Sequence, residues 1–167
     1  MANYNFKGEA YSIPYEAPGF VLLRRMVNIP ELIANQTKGQ PLVDDDGNVL
    51  SLPETGFEAA DILRVFKVPD GFVTKDVGVR VISDLDNTED IQVGDGDQAA
   101  GYLSTNLANP GLVMMPHTAL YGVDNLQARA YDEDDTIDVT FVDGADEGVF
   151  EIFVAGYWGS PQTALPA

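Results

Sequence analysis

The sequence predicts an all-β fold, a jelly-roll-like β-sandwich carrying an extended N-terminal arm. Three observations carry this expectation. From residue 60 onward, apolar and polar residues alternate with the period of two that a half-buried strand requires. Turn signals at Pro69-Asp70-Gly71, Gly94-Asp95-Gly96-Asp97, Asn109-Pro110-Gly111 and Asp143-Gly144 divide the chain into short runs. Helical periodicity is nearly absent, and many short strands with little helix point to a sandwich or jelly roll. The 167 residues suffice for one ordinary domain that buries roughly 70% of its unfolded surface, so a core forms without disulfides. There is no cysteine, which leaves the redox compartment undetermined.

Residues 1–28 read as an arm and a first strand. Tyr4, Phe6, Tyr11, Tyr15 and Phe20 stand among Gly8, Pro14, Pro18 and Gly19, a mixture that resists regular structure yet is too aromatic for an idle tail. Such an arm either docks its rings on a neighbour or folds back on its own domain, and composition does not choose between the two. Ile29 to Asn35 fits one or two helical turns, with Asn28 as cap ahead of Pro30 and Glu31. Pro41 to Leu50 reads as a hairpin with Asp44-Asp45-Asp46 at its tip. Ile62 to Val68 is a β-branched and aromatic run, and Val77, Val79 and Val81 alternate with Gly78, Arg80 and Ile82. Ile91 and Val93, Tyr102-Leu103 and Leu112 to Met115 give three shorter strands. Ile137, Val139 and Phe141 face one way against Asp138 and Thr140. Val149 to Trp158 is apolar on both faces except at Glu151, as a central strand or one at a subunit contact must be. The domain is therefore expected over 29–158, with an inserted acidic hairpin around 37–58 and a C-terminal tail at 159–167.

The charge is -18, from 9 basic and 27 acidic residues. A phosphate-binding surface needs lysines and arginines to displace counterions, so neither nucleic acid nor an anionic membrane is an expected partner. The imbalance is uneven. Residues 1–80 hold eight basic and eleven acidic side chains, net -3, whereas residues 81–167 hold Arg129 against sixteen acids, net -15. Residues 1–43 are net +1, from four basic and three acidic side chains. The start of the chain lacks the apolar segment of a signal peptide, and Phe20-Val21-Leu22-Leu23 is too short to span a bilayer.

Chemistry is sparse. The one histidine, His117, follows Pro116, and no Gly-x-Ser-x-Gly elbow or phosphate-binding glycine motif occurs, so no catalytic residue is expected. Asp44-Asp45-Asp46, Asp95 with Asp97, and Asp132-Glu133-Asp134-Asp135 offer clustered oxygens, but none fits the EF-hand spacing. They read as solvated turns, and no metal or other cofactor is expected. Asn35-Gln36-Thr37 matches a glycosylation sequon and reads as chance in the absence of a secretion signal.

The run Asp61-Ile62-Leu63-Arg64-Val65-Phe66-Lys67-Val68-Pro69-Asp70-Gly71 resembles an opening common in small phage head proteins. Val77-Gly78-Val79-Arg80-Val81, Ile91 to Asp97, Gly101-Tyr102-Leu103, Asp134 to Thr140 and Gly148 to Val154 follow in the same order. Over 61–158 the pattern resembles the head decoration, or cement, proteins of tailed bacteriophages, with Thr37 to Glu58 as an insertion. The resemblance implies a non-enzymatic virion protein, made in the host cytoplasm, that binds the capsid exterior and bridges capsomers. Its partners would be the major capsid protein and itself, as a dimer or trimer at a symmetry axis. Tyr4, Phe6, Tyr11, Tyr15, Arg24 and Arg25 are the candidate capsid or subunit contacts, since aromatics and arginine anchor interfaces. The alternative is a carbohydrate- or calcium-binding module of a virion fibre, with Tyr157 and Trp158 as a sugar platform and an Asp cluster as the metal site.

Overall fold

Strand pairing in this chain joins residues far apart in sequence, and the nesting of those pairs defines the architecture. The computed structural model describes residues 1–7, 19–35, 42–83, 90–106, 110–114 and 129–158. Eight strands make the body: β2 (Gly19–Asn28), β4 (Ile62–Val68), β5 (Phe72–Ser83), β6 (Asp90–Gly94), β7 (Leu103–Asn106), β8 (Gly111–Met114), β10 (Asp135–Phe141) and β11 (Val149–Trp158). Taken in chain order, the first pairs with the eighth, the second with the seventh, the third with the sixth and the fourth with the fifth, all antiparallel. β11 then pairs with β5 and β10 with β6, which closes two sheets. One long hairpin rolled on itself in this way is a jelly roll.

Sheet A contains β4-β10-β6-β7 and sheet B contains β2-β11-β5-β8. Three short strands complete them: β1 (Asn3–Phe6) and β3 (Leu42–Val43) at the β4 edge of sheet A, and β9 (Arg129–Ala130) beside β5. Helix α1 (Ile29–Ala34) follows β2; the Asn28 side chain accepts from the Glu31 N–H at 3.1 Å, and Pro30 sits in the first turn, where its missing N–H costs nothing.

The inner faces meet in a dry core. Leu23 and Val27 of β2, Val77 and Val79 of β5, and Phe150, Ile152 and Val154 of β11 face Leu63 of β4, Ile91 and Val93 of β6, and Ile137, Val139 and Phe141 of β10. Each such side chain contributes about 1.5–3 kcal/mol by leaving water. A bulge opposite Ile137/Asp138 leaves Val65 as the extra residue on β4, while plain alternation along β10 keeps Ile137 inward and Asp138 outward beside Arg64.

The N-terminal residues form regular structure after all. β1 adds to β4 in parallel, Asn3 to Ile62 through Asn5 to Arg64, and the Ala2 N–H donates to Asp61 Oδ1 at 2.6 Å. Tyr4 is 6% exposed and packs edge-on against Phe57, whose ring stacks on Phe141 at 4.1 Å. Four residues are too few to show a strand period, and their pairing partner lies some sixty positions away. Residues 42–58 feed the core as well, through Leu42, Leu52 and Phe57. The acidic turn between β3 and Val49 closes on itself: Asp44 Oδ1 accepts from the Asp46 and Asn48 N–H groups at 2.9 and 2.8 Å, and Leu50 N–H donates to Leu42.

Phe57→Ala is expected to lower stability by about 3–5 kcal/mol, the usual cost of emptying an aromatic core site. Urea unfolding checks this; a loss under about 1 kcal/mol, the scale of surface substitutions, would make the 42–58 segment peripheral.

Candidate functional site

Sheet B has two unlike faces. Along β2 the odd residues turn inward and the even ones outward, so Phe20, Leu22, Arg24 and Met26 form one exposed row. Register aligns Tyr157, Ala155, Phe153 and Glu151 of β11 beside them in that order. Asp76, Gly78 and Arg80 of β5 continue the rows, followed by Met114 and Leu112 of β8. Phe20 is 64% exposed, Leu112 59%, Leu22 53% and Tyr157 51%. Isolated exposed apolar residues are ordinary, but a contiguous set on one sheet face marks an interaction surface.

The face is also ordered. Phe20 and Tyr157 meet edge-to-face at 5.7 Å. A Cβ on Gly78 would lie 2.2 Å from Cζ of Phe153 and 2.9 Å from Sδ of Met114, so the missing side chain is what lets the Phe153 ring lie flat across β5. Glu151 is nearly buried between two arginines from the flanking strands. Arg24 donates from Nε at 2.8 Å, and Arg80 Nη2 lies 3.2 Å from the other carboxylate oxygen. Both guanidinium groups remain about half exposed, at 57% and 52%. With Lys75 and Asp76, the named charges on this side sum to +1, in a chain of -18.

Two other polar clusters stand away from this face. A buried chain of hydroxyls runs from Thr74 Oγ1 to Tyr102 (2.8 Å), from Tyr102 to Tyr131 (2.6 Å) and on to Asp95 Oδ2, which accepts from the Tyr131 hydroxyl at 3.1 Å. Asp95 Oδ1 accepts from the N–H groups of Asp97 and Gln98, and Arg129 stands beside both aspartates. Burial pushes both tyrosine hydroxyls well above their usual range. Every member has a partner, so the chain works as a pin between β5 and the β6–β7 turn.

Outside it, Asp134, Asp135 and Asp138 line a cleft of about 360 Å³ with Arg64, Lys67 and Gly96. Burial pushes the Asp138 carboxyl up to about 7, against the Thr136 side-chain hydrogen bond first and the Arg64 charge second. Asp135 is raised too, by burial first and then by the charges of Asp95 and Asp97.

The six residues expected at contacts divide. Arg24 lies on the exposed face of sheet B. Arg25, next in sequence, points the other way and stacks over the Phe6 ring at 4.3 Å, so these two are partners within the chain. Tyr4 is used in the chain's own core, the second of the two roles left open above. Tyr11 and Tyr15 lie outside the described residues, as does His117. Leu22, Met26 and Leu112 are not singled out by the sequence reading, and Phe20 and Tyr157 enter it only as an arm aromatic and as part of the sugar platform. The alternation along Gly19–Asn28 was the available signal, masked by apolar residues on both faces. The sugar-platform alternative meets a direct obstacle, because Trp158 is buried on the inner face of β11 at 4% exposure. Among the described residues no group of three or more His, Cys, Asp or Glu side chains is placed to hold a metal ion. No helix among them is long and apolar enough to cross a membrane.

The chain is thus a jelly-roll β-sandwich, and among its described residues the outer face of sheet B exposes a contiguous, largely apolar surface. No family profile and no curated protein matches it. Solved structures do match its fold. A chain in the capsid of Ralstonia phage GP4 shares 12% identity over 95% of this chain and 99% of that one, with a TM-score of 0.59. One in the cyanophage Pam1 capsid asymmetric unit shares 14% over 92% and 95%, at 0.54. A third, from the acidic stable capsid structure of Helicobacter pylori bacteriophage KHP30, shares 10% over 84% and 89%, at 0.51. At these identities the likeness is one of fold.

Asp138 makes stability depend on pH. Its folded value lies above the unfolded 3.8, so the native state holds the proton more tightly. The stability this confers is full below the unfolded value and is lost as pH rises toward 7. Asp138→Asn is expected to be more stable than the parent by about 1–3 kcal/mol at pH 8 and to show a flatter profile between pH 4 and 8. Urea midpoints across that range check it; parallel profiles would contradict it.

Proposed function

We propose that this chain is a structural virion protein that binds the outside of a phage capsid and bridges capsomers, with the outer face of sheet B as its docking surface. The observation that carries this reading is the contiguous exposed row Phe20, Leu22, Met26 and Tyr157, held in register around the Arg24–Glu151–Arg80 cluster. Apolar and aromatic anchors around a few oriented arginines are the composition of a protein interface core. The shared fold with chains of three phage capsids supports the setting, although a jelly roll by itself serves many functions. No enzymatic role belongs to this reading.

Charge supports the orientation. The acidic turns at Asp44–Asp46, Asp95–Asp97 and Asp132–Asp135 belong to the sheet A side, so the opposite face is the one free of strong self-repulsion. The partner is the major capsid protein, and a second or third copy of the chain completes a contact at a symmetry axis. Tyr11 and Tyr15 are proposed to add to this contact from the segment that leads into β2.

Leu22→Asp combined with Tyr157→Asp is expected to weaken binding to heads of the cognate capsid protein at least tenfold, about 1.4 kcal/mol, without lowering the melting temperature. Co-sedimentation of the purified variant with empty heads measures this; undiminished binding would remove sheet B from the contact. Replacing Tyr11 and Tyr15 with serine tests the arm separately and spares β1, whose Tyr4 the core needs. A severalfold loss of head binding at unchanged stability is expected, and parent-like binding would retire the arm as a contact.

A further inference from the structure

We propose that the cleft on the outer face of sheet A is a receptor for one cationic hydrogen-bond donor, an ammonium or guanidinium group presented by a partner's side chain. The cleft is floored by Asp138, which the alternation along β10 places on the outer face between the core residues Ile137 and Val139. Asp138 is only 7% exposed; the Thr136 side chain bonds its carboxyl, yet Oδ1 is sealed from water without a hydrogen-bond partner. A buried carboxylate oxygen left unpaired is expensive, and native structures seldom keep one without a use.

The chain's own cations do not fill the need. Arg64, the cross-strand neighbour of Asp138, is committed to Asp45 on the acidic turn. Lys67 stands exposed at the rim. Asp134 and Asp135 are held in place by backbone donors, Asp70 N–H to Asp134 Oδ1 at 3.0 Å and Thr136 N–H to Asp135 Oδ1 at 2.7 Å. The lining charges therefore sum to -1, three carboxylates against two bases, and Asp95 and Asp97 add to the negative potential felt by Asp135.

The shape of the cleft fits the same ligand. Its volume of about 360 Å³ equals the share of roughly a dozen waters, room for one long side chain. Gly96 keeps the wall open, since a Cβ there would lie 3.3 Å from Asp135 Oδ1. A divalent metal ion fits less well. The carboxylates do not converge as a set of three, and Arg64 and Lys67 at the rim repel a double charge. A single positive charge with directional N–H groups matches one under-satisfied carboxylate.

Carboxyl-carbon NMR on the isolated full chain tests this, independently of any capsid. Ethylammonium and methylguanidinium are titrated in against tetramethylammonium at equal ionic strength. Ethylammonium or methylguanidinium is expected to lower the Asp138 titration midpoint by about one pH unit, a tenfold loss of proton affinity, and to shift the Gly96 and Thr136 amides. Tetramethylammonium, which has no N–H, is expected to do neither, and Asp138→Asn to abolish the amide shifts in a folded protein. Equal responses to all three cations, or a response to Ca²⁺ alone, would overturn the proposal.

Discussion

Sheet B is closed by β11, and the rest of the molecule depends on how that strand is held. It pairs along its whole length with β2 on one side and β5 on the other, so that Arg24 meets Glu151 across 127 positions of sequence. Phe150, Ile152, Val154 and Trp158 then complete the inner face against sheet A. Loop closure over such spans costs chain entropy before any contact offsets it, and pairings this far apart in sequence slow folding. Glu151 adds direction. A carboxylate nearly buried on the wrong register would lose both arginines, and a one-residue slip would turn the whole apolar set toward water.

Much of this fold is legible in the residues. Ile62–Val68 ends in the structure at the Pro-Asp-Gly turn and Val149–Trp158 follows the Asp-Gly turn, as the sequence reads, because these residues dictate backbone geometry locally. The helix after Asn28 is equally local, resting on one side-chain cap. What escapes notice is non-local. β1 acquires its strand character from β4, and Tyr4 its burial from Phe57. Arg24 and Arg25 look equivalent in a list of basic residues, yet the two-residue period sends one to an exposed salt-bridge cluster and the other over an aromatic ring.

The candidate surface was legible in kind but not in address. An aromatic, nearly neutral N-terminal portion suggested adhesion. The face that emerges is half β2 and half β11, strands from opposite ends of the chain and from regions of very different net charge. Asp138 was hidden for a similar reason. In sequence it is one polar residue in an alternating strand, and only the folded surroundings, which bury it while Arg64 pairs with Asp45, leave its Oδ1 without a partner.

The separation of charge between the two layers has a kinetic meaning. Among the described residues, acidic turns stand toward sheet A and the Arg24–Glu151–Arg80 cluster on the outer face of sheet B, a division that carries an electric moment. Were sheet B the docking face proposed for this chain, a negatively charged target would exert a torque before contact that favours arrival with sheet B leading. Orientation would then be selected during the encounter, over distances comparable with the screening length of about 8 Å at physiological salt, and dilute electrolyte would lengthen that reach.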